Sequence, residues 1–265
     1  MSSDTEELDH TEGRTRMSRK WEALAAELTQ LCAQLGPGGV LPSTKELIAQ
    51  GRGSRTTVGN AYNELMRLGL VRGVPGTGYI VRDRSVVAIP WSRYGQSGAD
   101  GLGPWETATR AQGLNGTMAL IEVATVEATV SVAAKLGLTE ATSFQVTRRT
   151  RHAMINDEVL QIQLASYPVD VARRCGLDRR GKVEGGTLPA LAAEFRLGLG
   201  TERISFQRAT DAEVGVLKLA PGGYVARVER LLVDEDGQPL ELLQVAALPD
   251  QVEFVFDGLD FKKLS

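Results

Sequence analysis

The stretch of 41 residues from Leu41 to Val81 most constrains what this chain can fold into. Ser43 and Glu46 have the spacing of a capping box, in which each side chain bonds the backbone N–H of the other at the start of a helix. Glycines in the segment 51–53 favour a turn that ends this helix, and Ser54 can then cap a second one. Two short helices joined by a tight turn are typical of a helix-turn-helix.

The second helix is predicted to be followed by a hairpin. Its apolar residues recur with helical spacing, at Val58, Ala61, Tyr62, Leu65 and Leu68. Gly69 ends it. The runs 70–72 and 79–81 then resemble short strands, and the segment Pro75-Gly76-Thr77-Gly78 supplies the turn between them.

The start of the second helix carries side chains that suit DNA. Free N–H groups and the helix dipole at this end favour phosphate. Arg55 can bond guanine O6 and N7 together, and Thr56 and Thr57 are short enough for phosphates or base edges. Alternatively, Ser54, Arg55 and Thr57 form only a cap and a solvated face. The complete arrangement of capped helix, turn, capped helix and hairpin favours DNA binding.

The distribution of charge agrees with a DNA-binding segment. Between Lys45 and Arg84 there are seven basic and three acidic residues, a local charge of +4 on a chain whose total is −3. Phosphate contacts supply much of the affinity of a protein for DNA. A basic module on an acidic body therefore indicates selective DNA binding rather than general nucleic-acid coating.

The same residues resemble a known family. The runs L-P-S-x-x-E-L from Leu41, S-R-T-T-V from Ser54 and L-x-x-x-G-L-V from Leu65 are followed by G-x-G from Gly76. Together they are similar to the winged helix-turn-helix of the GntR family of bacterial transcription regulators, over about residues 18–82. The resemblance implies that the second helix enters the major groove and the hairpin, or wing, the minor groove. The DNA-facing positions it implies are Lys45, Ser54, Arg55, Thr56, Thr57, Gly76 and Thr77.

Two positions depart from the family pattern. Gly59 stands where the family usually has Arg or a similar polar residue, so a phosphate or base contact is missing there. The run Gly51-Arg52-Gly53 replaces a hydrophobic residue before Ser-Arg, which predicts a looser turn.

Composition excludes several other classes of protein. The chain has two cysteines, Cys32 and Cys175, and two histidines, His10 and His152, so no disulfide framework, zinc site or three-histidine site is expected. We expect no metal and no cofactor. Apolar runs are too short to span a membrane, and the acidic N-terminus lacks a secretory segment. These features predict a cytoplasmic protein that does not insert into membranes.

The chain is expected to contain two domains. Residues 1–16 are polar and predicted to be a disordered tail, 17–82 form the winged domain, and 83–103 a Gly- and Ser-rich linker in which Trp91 and Tyr94 are candidate anchors. Residues 104–265 alternate strands with short helices, and Asp236-Gly237 is a strong hairpin pattern. We predict an α+β domain built on an antiparallel sheet.

This second half also resembles a known domain, over about residues 105–257. The residues concerned are Leu136-Gly137-Leu138, R-R-T-R at 148–151, S-Y-P at 166–168, Gly185-Gly186-Thr187 and D-x-D-G-x-P-L-E at 234–241. In this order they are similar to the UTRA effector domain of the HutC branch of the GntR family, whose fold resembles chorismate lyase. The resemblance implies a domain that dimerises and binds a small molecule.

Four residues are candidates for an effector site. The resemblance implies that Arg149 and Arg151 line the pocket. They lie at i and i+2 and point to one face of a strand, where two guanidinium groups favour a carboxylate or phosphate. An exposed polar face is the alternative. By the resemblance, Gln163 stands where the family commonly has a glutamate, which alters ligand choice. Glu241 matches a late glutamate of the family, and either bonds ligand hydroxyls or neutralises Arg149 in an empty pocket.

The sequence therefore predicts a DNA-binding transcriptional regulator, acting as a repressor. A homodimer would place two recognition helices on a palindromic double-stranded operator, and a small effector, of anionic type, would modulate binding. A constitutive repressor whose C-terminal domain only dimerises is one alternative. A chorismate-lyase-like enzyme is another, although no nucleophile–base pair, metal cluster or phosphate loop is found.

Overall fold

The computed structural model describes residues 4–84, 86–91, 102–139 and 144–256, with side chains from residue 20 onward. The chain divides into two compact units. The first comprises Met1–Ser85 with Val214–Gly223, and the second comprises Val86–Glu213 with Tyr224–Ser265. None of the described helices is both long and apolar enough to cross a lipid bilayer.

The first unit contains three helices followed by a hairpin, as predicted. The elements are α1 (Asp4–Leu35), α2 (Thr44–Ala49), α3 (Arg55–Arg67), β1 (Val71–Val74) and β2 (Gly78–Val81). The beginning of α1 differs from our prediction, because the helix includes residues 4–16, which we expected to be a disordered tail. Glu and Arg, which are good helix formers, recur in this segment, so it can form a helix although it lacks apolar periodicity.

Local capping sets the helix boundaries in this unit. The capping box is confirmed: Ser43 N donates to Glu46 Oε2 at 2.6 Å, and Glu46 N donates to Ser43 Oγ at 3.2 Å. Ser54 caps α3 by accepting from Thr57 N at 3.2 Å. The core consists of the apolar faces of α1 and α3 with the base of the hairpin, and its fully buried members include Val58, Ala61, Tyr62 and Leu65.

The second unit is an α+β domain built on a six-stranded antiparallel sheet, as the sequence predicted. The sheet order is β4-β5-β6-β9-β8-β7. Its strands are β4 (Gly116–Glu127), β5 (Gln145–Ile155), β6 (Glu158–Pro168), β7 (Thr201–Arg208), β8 (Tyr224–Val233) and β9 (Pro239–Ala247). The helices are α4 (Pro104–Ala111), α5 (Val130–Lys135), α6 (Val169–Arg174) and α7 (Thr187–Glu194). Helix α8 (Asp211–Leu217) begins in this unit, and its residues from Val214 onward are assigned to the first unit.

Tight turns fix the register of this sheet. Asn156 and Asp157 join β5 to β6 with φ values of 46° and 66°. Positive φ at both central residues is the requirement of a type I′ hairpin, and Asn and Asp are among the residues that tolerate it. A bulge between Ala153 and Met154 shifts the register that this turn begins, and beyond it Arg151 pairs with Gln163 and Arg149 with Ala165. Arg149, Arg151 and Gln163 therefore share one face of the sheet.

The segment predicted as an unstructured linker contains a strand. β3 (Val87–Pro90) pairs in parallel with β10 (Val252–Val255), which we did not predict. Trp91 is buried and packs edge-on against Phe254, with ring centroids 4.9 Å apart. Part of the predicted linker thus belongs to the second unit, because it pairs with a strand of that unit. The partner strand lies more than 160 residues later in the sequence. Tyr94, the other candidate anchor, is outside the described residues.

Candidate functional site

Helix α3 presents one polar face outward. Val58, Ala61 and Leu65 point into the core, so the opposite side of the helix carries exposed Thr56, together with Arg55 at the first turn. Thr57 is different: its side chain is only 3% exposed, and its hydroxyl lies 3.0 Å from Ser54 Oγ. The structure therefore uses Thr57 with Ser54 to close the cap, and presents Arg55 and Thr56 to the surroundings.

The cations near this face are not equivalent. Lys45 and Arg55 are exposed, and neither forms an ion pair with any residue in the described part of the chain. Arg52 is paired with Glu27, and Arg67 donates to Glu64 through Nε and Nη2 at 2.7 and 2.6 Å. Among these four cations, Lys45 and Arg55 are therefore the ones available to phosphate or to a base.

The wing is a tight hairpin. Thr77 N donates to Val74 O at 3.1 Å, and Gly76 between them has φ +79°. A proline at the second position and a glycine with positive φ at the third are typical of a type II turn. Gly76 and Thr77 are exposed at its tip, where the absence of a bulky side chain permits close approach to another molecule.

The base of the wing is fixed to α3. The ring of Tyr79 in β2 stacks on that of Tyr62, with centroids 3.7 Å apart and planes inclined by 6°. The Tyr62 hydroxyl donates to the backbone carbonyl of Pro42, and burial raises the pKa of Tyr62 above its ordinary value. One buried aromatic residue therefore sets the positions of the recognition helix, the wing and the start of α2.

Residues on α3 that the sequence analysis did not select also lie on the outward face. Asn60 and Asn63 are exposed, and at i+4 and i+7 from Thr56 they continue its stripe along the helix. At Gly59, an added Cβ would meet no atom within 4 Å. Both asparagines could have been found from helical spacing, as the positions of α3 that lie opposite its buried apolar residues, instead of from the family motif.

A cavity of about 330 Å³ lies on one face of the sheet in the second unit. Its floor consists of side chains from β4, β5, β6, β8 and β9, and its walls are the start of α4 and the segment leading into α7. Pockets for small molecules generally measure about 300–1,000 Å³. Arg149, Arg151 and Gln163 all line this cavity, so three of the four candidate effector residues lie together.

The guanidinium of Arg149 is hydrogen-bonded to backbone carbonyls of the same chain. Its Nη1 donates to the carbonyls of Leu177 and Arg179, and its Nη2 to that of Gly181, each at 2.8 Å. The side chain is 2% exposed, and burial lowers the pKa of its guanidinium, with the charge of Arg151 acting in the same direction. Arg149 therefore holds the segment 177–181 against the sheet, at the wall of the cavity.

Arg151 is the less constrained of the two arginines. It lies directly across from Gln163 in the β5–β6 pairing. Within the described ranges it makes no ion pair, and its Nε is buried without a hydrogen-bond partner. An unsatisfied N–H of a charged group inside a pocket is costly unless an acceptor arrives. Arg151 is thus a group that an anionic ligand would satisfy.

Glu241 lies behind the cavity. Its Oε1 accepts from the Tyr167 hydroxyl at 2.6 Å and its Oε2 from Arg230 Nη2 at 3.4 Å. Both Tyr167 and Glu241 are fully buried, and burial together with the neighbouring carboxylate raises the pKa of Tyr167. Glu241 does not line the cavity. It pairs with Arg230, and not with Arg149 as the sequence analysis had offered. Arg230 reaches the cavity from β8.

The lining is rich in cations. Among the described residues it contains Arg149, Arg151, Lys182 and Arg230, with Glu106 as the one carboxylate. One oxygen of Glu106 is engaged by the backbone N–H of Met118 at 3.2 Å. The sequence analysis missed Lys182 and Arg230, because a lone lysine in a loop and an arginine three strands away from the R-x-R pair in the sheet carry no local pattern. The arrangement favours a small anion.

Comparisons with known proteins identify the family of each part of the chain. Residues 21–81 match the family model described as bacterial regulatory proteins, gntR family, and residues 111–252 match the UTRA domain. The uncharacterised HTH-type transcriptional regulator SCO4628 of Streptomyces coelicolor is 27% identical over 236 residues, which are 84% of this chain and 86% of that protein.

Solved structures show the same fold. The crystal structure of PhnF from Mycobacterium smegmatis matches with a TM-score of 0.54 at 19% identity, covering 88% of this chain and 97% of that one. The effector domain of the same protein matches with a TM-score of 0.50 at 17% identity, covering 62% of this chain and 99% of that domain. Within the described ranges, no group of three or more His, Cys, Asp or Glu side chains is placed to hold a metal ion.

Proposed function

Because the chain belongs to the GntR family of bacterial regulatory proteins and carries a UTRA domain, we propose that it is a repressor controlled by a small anionic effector. It is a DNA-binding transcriptional regulator by family. The repressor role, the effector class, the operator symmetry and the cytoplasmic location are the proposed parts. The observation that carries the proposal is the cation-rich cavity.

The DNA-binding contribution comes from α3 and the wing. Arg55 and Thr56 at the start of α3 contact base edges in the major groove, while Lys45 contacts phosphate. Gly76 and Thr77 approach the minor groove. Ser54 and Thr57 position this surface through their mutual hydrogen bonds. The exposed positions support these assignments, since each contacting side chain is already outside the core.

We propose that the regulator acts as a homodimer. A single α3 reaches only a few base pairs, and two copies related by a two-fold axis would bind a palindromic operator with half-sites about one helical turn apart. Binding of both half-sites by one dimer gives a higher affinity for the operator than binding of a single half-site. The net charge of the chain is −3, so general attraction to DNA is weak and the paired specific contacts dominate.

The effector is proposed to bind between Arg151, Gln163 and Arg230. Its anionic group takes the free donors of Arg151, and Lys182 at the rim adds charge. Gln163 supplies a neutral amide where a carboxylate would repel an anion. Leu120, Leu243 and other apolar lining side chains accommodate the ligand body. A cavity lined by several guanidinium groups supports an effector-binding domain over one that only dimerises.

Effector binding weakens operator binding if the two states of the dimer differ in effector affinity. A coupling free energy of about 1–3 kcal/mol changes operator affinity by about 5–150-fold, which is enough for induction. Helix α4 is placed for this role, since its first residues line the cavity and Gln112, which directly follows it, is bonded to β3.

The test is a gel shift with the full-length protein on the DNA upstream of its own gene, with and without an extract of cell metabolites. We expect a shifted band that the extract reverses. The variant Arg151→Ala should shift the same DNA, but the extract should no longer reverse the shift. A wild-type shift that ignores every extract fraction would contradict the effector and favour a constitutive repressor.

A lyase-like enzymatic role is the alternative suggested by fold alone. The relative SCO4628 is described as an HTH-type transcriptional regulator. Catalysis would require groups able to transfer a proton or attack a substrate inside the cavity, and its charged lining residues are arginines, a lysine and Glu106. Turnover of a chorismate-like substrate by the purified protein, with no operator shift, would favour the enzyme.

A further inference from the structure

The six-stranded sheet ends in two very different edges. At β4 the pairing with β5 is interrupted by a bulge between Leu120 and Glu122, and α4 covers part of the strand, with Glu106 accepting from Met118 N. Bulges and covering helices are devices that prevent a sheet edge from pairing with another chain. The β4 edge is therefore protected.

The β7 edge has none of these devices. β7 pairs with β8 through eight consecutive residue pairs without a register shift, and the described residues place no strand on its other side. Its sequence, T-E-R-I-S-F-Q-R, contains no proline and no lysine. A regular edge of this length, about 27 Å, is a template for a further strand.

Large apolar side chains are exposed on this edge. Phe206 is 69% exposed and Ile204 39%. Residues of the same parity share one face of a strand, so these two lie on that face together with Glu202 and Arg208 at either end. Ser205 is the least exposed residue of the strand. The face therefore reads acidic, apolar, apolar, basic along the chain.

This order is complementary to itself when reversed. We propose that two copies of the chain pair through β7 in antiparallel fashion, with Ser205 on the two-fold axis, to form a continuous twelve-stranded sheet. Glu202 then lies opposite the partner's Arg208, and Ile204 opposite the partner's Phe206, each pair occurring twice. The inference rests on the proposed homodimer and identifies its interface.

Other registers fit less well. Facing residues must lie on the same side of the sheet, so the two-fold axis can move only in steps of one whole residue. Centring the pairing on Ile204 sets the partner's Glu202 against Phe206, and centring it on Phe206 sets the partner's Arg208 against Ile204. Opposite charges and apolar pairs directly across from each other stabilise a sheet, and only the Ser205 register provides both.

The first test is cross-linking of the full-length protein. In antiparallel pairs, Cα atoms directly opposite each other lie about 4.5–5.5 Å apart, within the range of a disulfide. Ser205→Cys in a Cys175→Ser background should form a covalent dimer under mild oxidation, seen on a non-reducing gel. The control is Thr117→Cys in the same background, an exposed position on the protected β4 edge, which should stay monomeric on the gel.

The second test is charge exchange, followed by sedimentation velocity over a range of concentrations. Glu202→Arg or Arg208→Glu alone sets like charges opposite each other at both ends and should raise the dimer dissociation constant about tenfold or more. The double variant Glu202→Arg with Arg208→Glu restores both opposite-charge pairs and should return to near the wild-type value. Far-ultraviolet circular dichroism checks that each variant is folded.

The possible outcomes separate the interface from the dimer itself. Covalent dimers at position 205 and rescue by the double variant support the proposal. A wild-type dimer whose Ser205→Cys variant does not cross-link, and which ignores the charge changes, places the interface elsewhere and overturns the proposal while leaving the homodimer intact. A wild-type chain that remains monomeric at all concentrations, with and without operator DNA, overturns both.

Discussion

The side-chain amide of Gln112 occupies both backbone hydrogen-bonding groups of Ala88. Its Oε1 accepts from Ala88 N at 2.9 Å, and its Nε2 donates to Ala88 O at 2.8 Å. Gln112 directly follows α4, whose first residues line the cavity, and Ala88 is in β3, the first strand after the DNA-binding unit. One glutamine thus joins the cavity helix to the strand that continues from the wing.

This relationship predicts a variant that binds both partners but does not couple them. Gln112→Ala should lower the free energy of unfolding by about 1 kcal/mol, because the lost hydrogen bonds are exposed. Operator affinity without effector should be kept, and release by effector should be reduced. Fluorescence anisotropy with labelled operator measures both quantities. Thr107→Ala, an exposed change on the same helix, is the control and should behave like wild type.

Arg55 should matter more for DNA than any other arginine on α3. Arg55→Ala is expected to cost about 1–3 kcal/mol in specific operator binding, since a bidentate contact to guanine is lost. The matched control is Arg67→Ala at the other end of the helix, where the guanidinium is already paired with Glu64. Titrations should be made at one stated salt concentration. Equal losses in the two variants would contradict the assignment of the recognition end.

Gly59 should be replaceable with a gain in stability. It lies inside α3, where glycine is about 1 kcal/mol less favourable than alanine, and an added Cβ meets no atom within 4 Å. Gly59→Ala should therefore raise the midpoint of denaturant unfolding. Gly59→Arg should in addition tighten operator binding, by restoring the polar contact that the family usually has. A destabilised Gly59→Ala variant would show that α3 is more crowded than its surface indicates.

The two arginines of the R-x-R pair should respond differently to removal. Arg149→Ala leaves three carbonyls of the segment 177–181 without their donor and should destabilise the protein by about 3 kcal/mol or more. Arg151→Ala loses no such bond, so stability should be nearly unchanged while the effector response disappears. Urea unfolding and the extract gel shift measure the two effects. Equal stability of the two variants would contradict a structural role for Arg149.

Acid should weaken one partly buried ion pair, between Glu213 and Arg227, in a defined pH range. Burial tends to raise the pKa of Glu213, but hydrogen bonds from Arg227 and from Thr210 N outweigh it, and the pKa is lowered. A carboxyl with a lower pKa in the folded state stabilises fully above its ordinary value of about 4.3, and this stabilisation is lost as the pH falls further. Glu213→Gln should therefore flatten the decline in stability below about pH 4.5. Glu194→Gln, at an exposed pair, should keep the wild-type profile.

Local patterns explain most of what the sequence predicted. The capping box of Ser43 and Glu46, the apolar spacing in α3 and the turn at Asp236-Gly237 each depend on residues within a few positions of one another. The antiparallel sheet followed from hairpins of the same kind. These features are encoded by backbone preferences and by the burial of one face, so they can be predicted without knowledge of the tertiary structure.

Contacts between distant residues could not be predicted in the same way. The parallel pairing of β3 with β10 joins segments at opposite ends of the second unit, and neither strand has a hairpin to indicate its partner. The attachment of Arg149 to carbonyls about 30 residues away also leaves no trace in its own strand. Motif spacing placed Arg149 and Arg151 on one face, but their different roles depend on a loop that carries no pattern.

The pairing of β3 with β10 holds the beginning of the second unit next to a segment from near its end. Val87 lies opposite Val252, so the point where the chain comes in from the DNA-binding unit is secured by β10, the last strand among the described residues. Loss of that final strand through a premature stop would therefore act at residues 87–90, far away along the chain. Conversely, if a different DNA-binding module were joined at Val87, the pairing of β3 with β10 would be kept, because both strands are part of the effector unit.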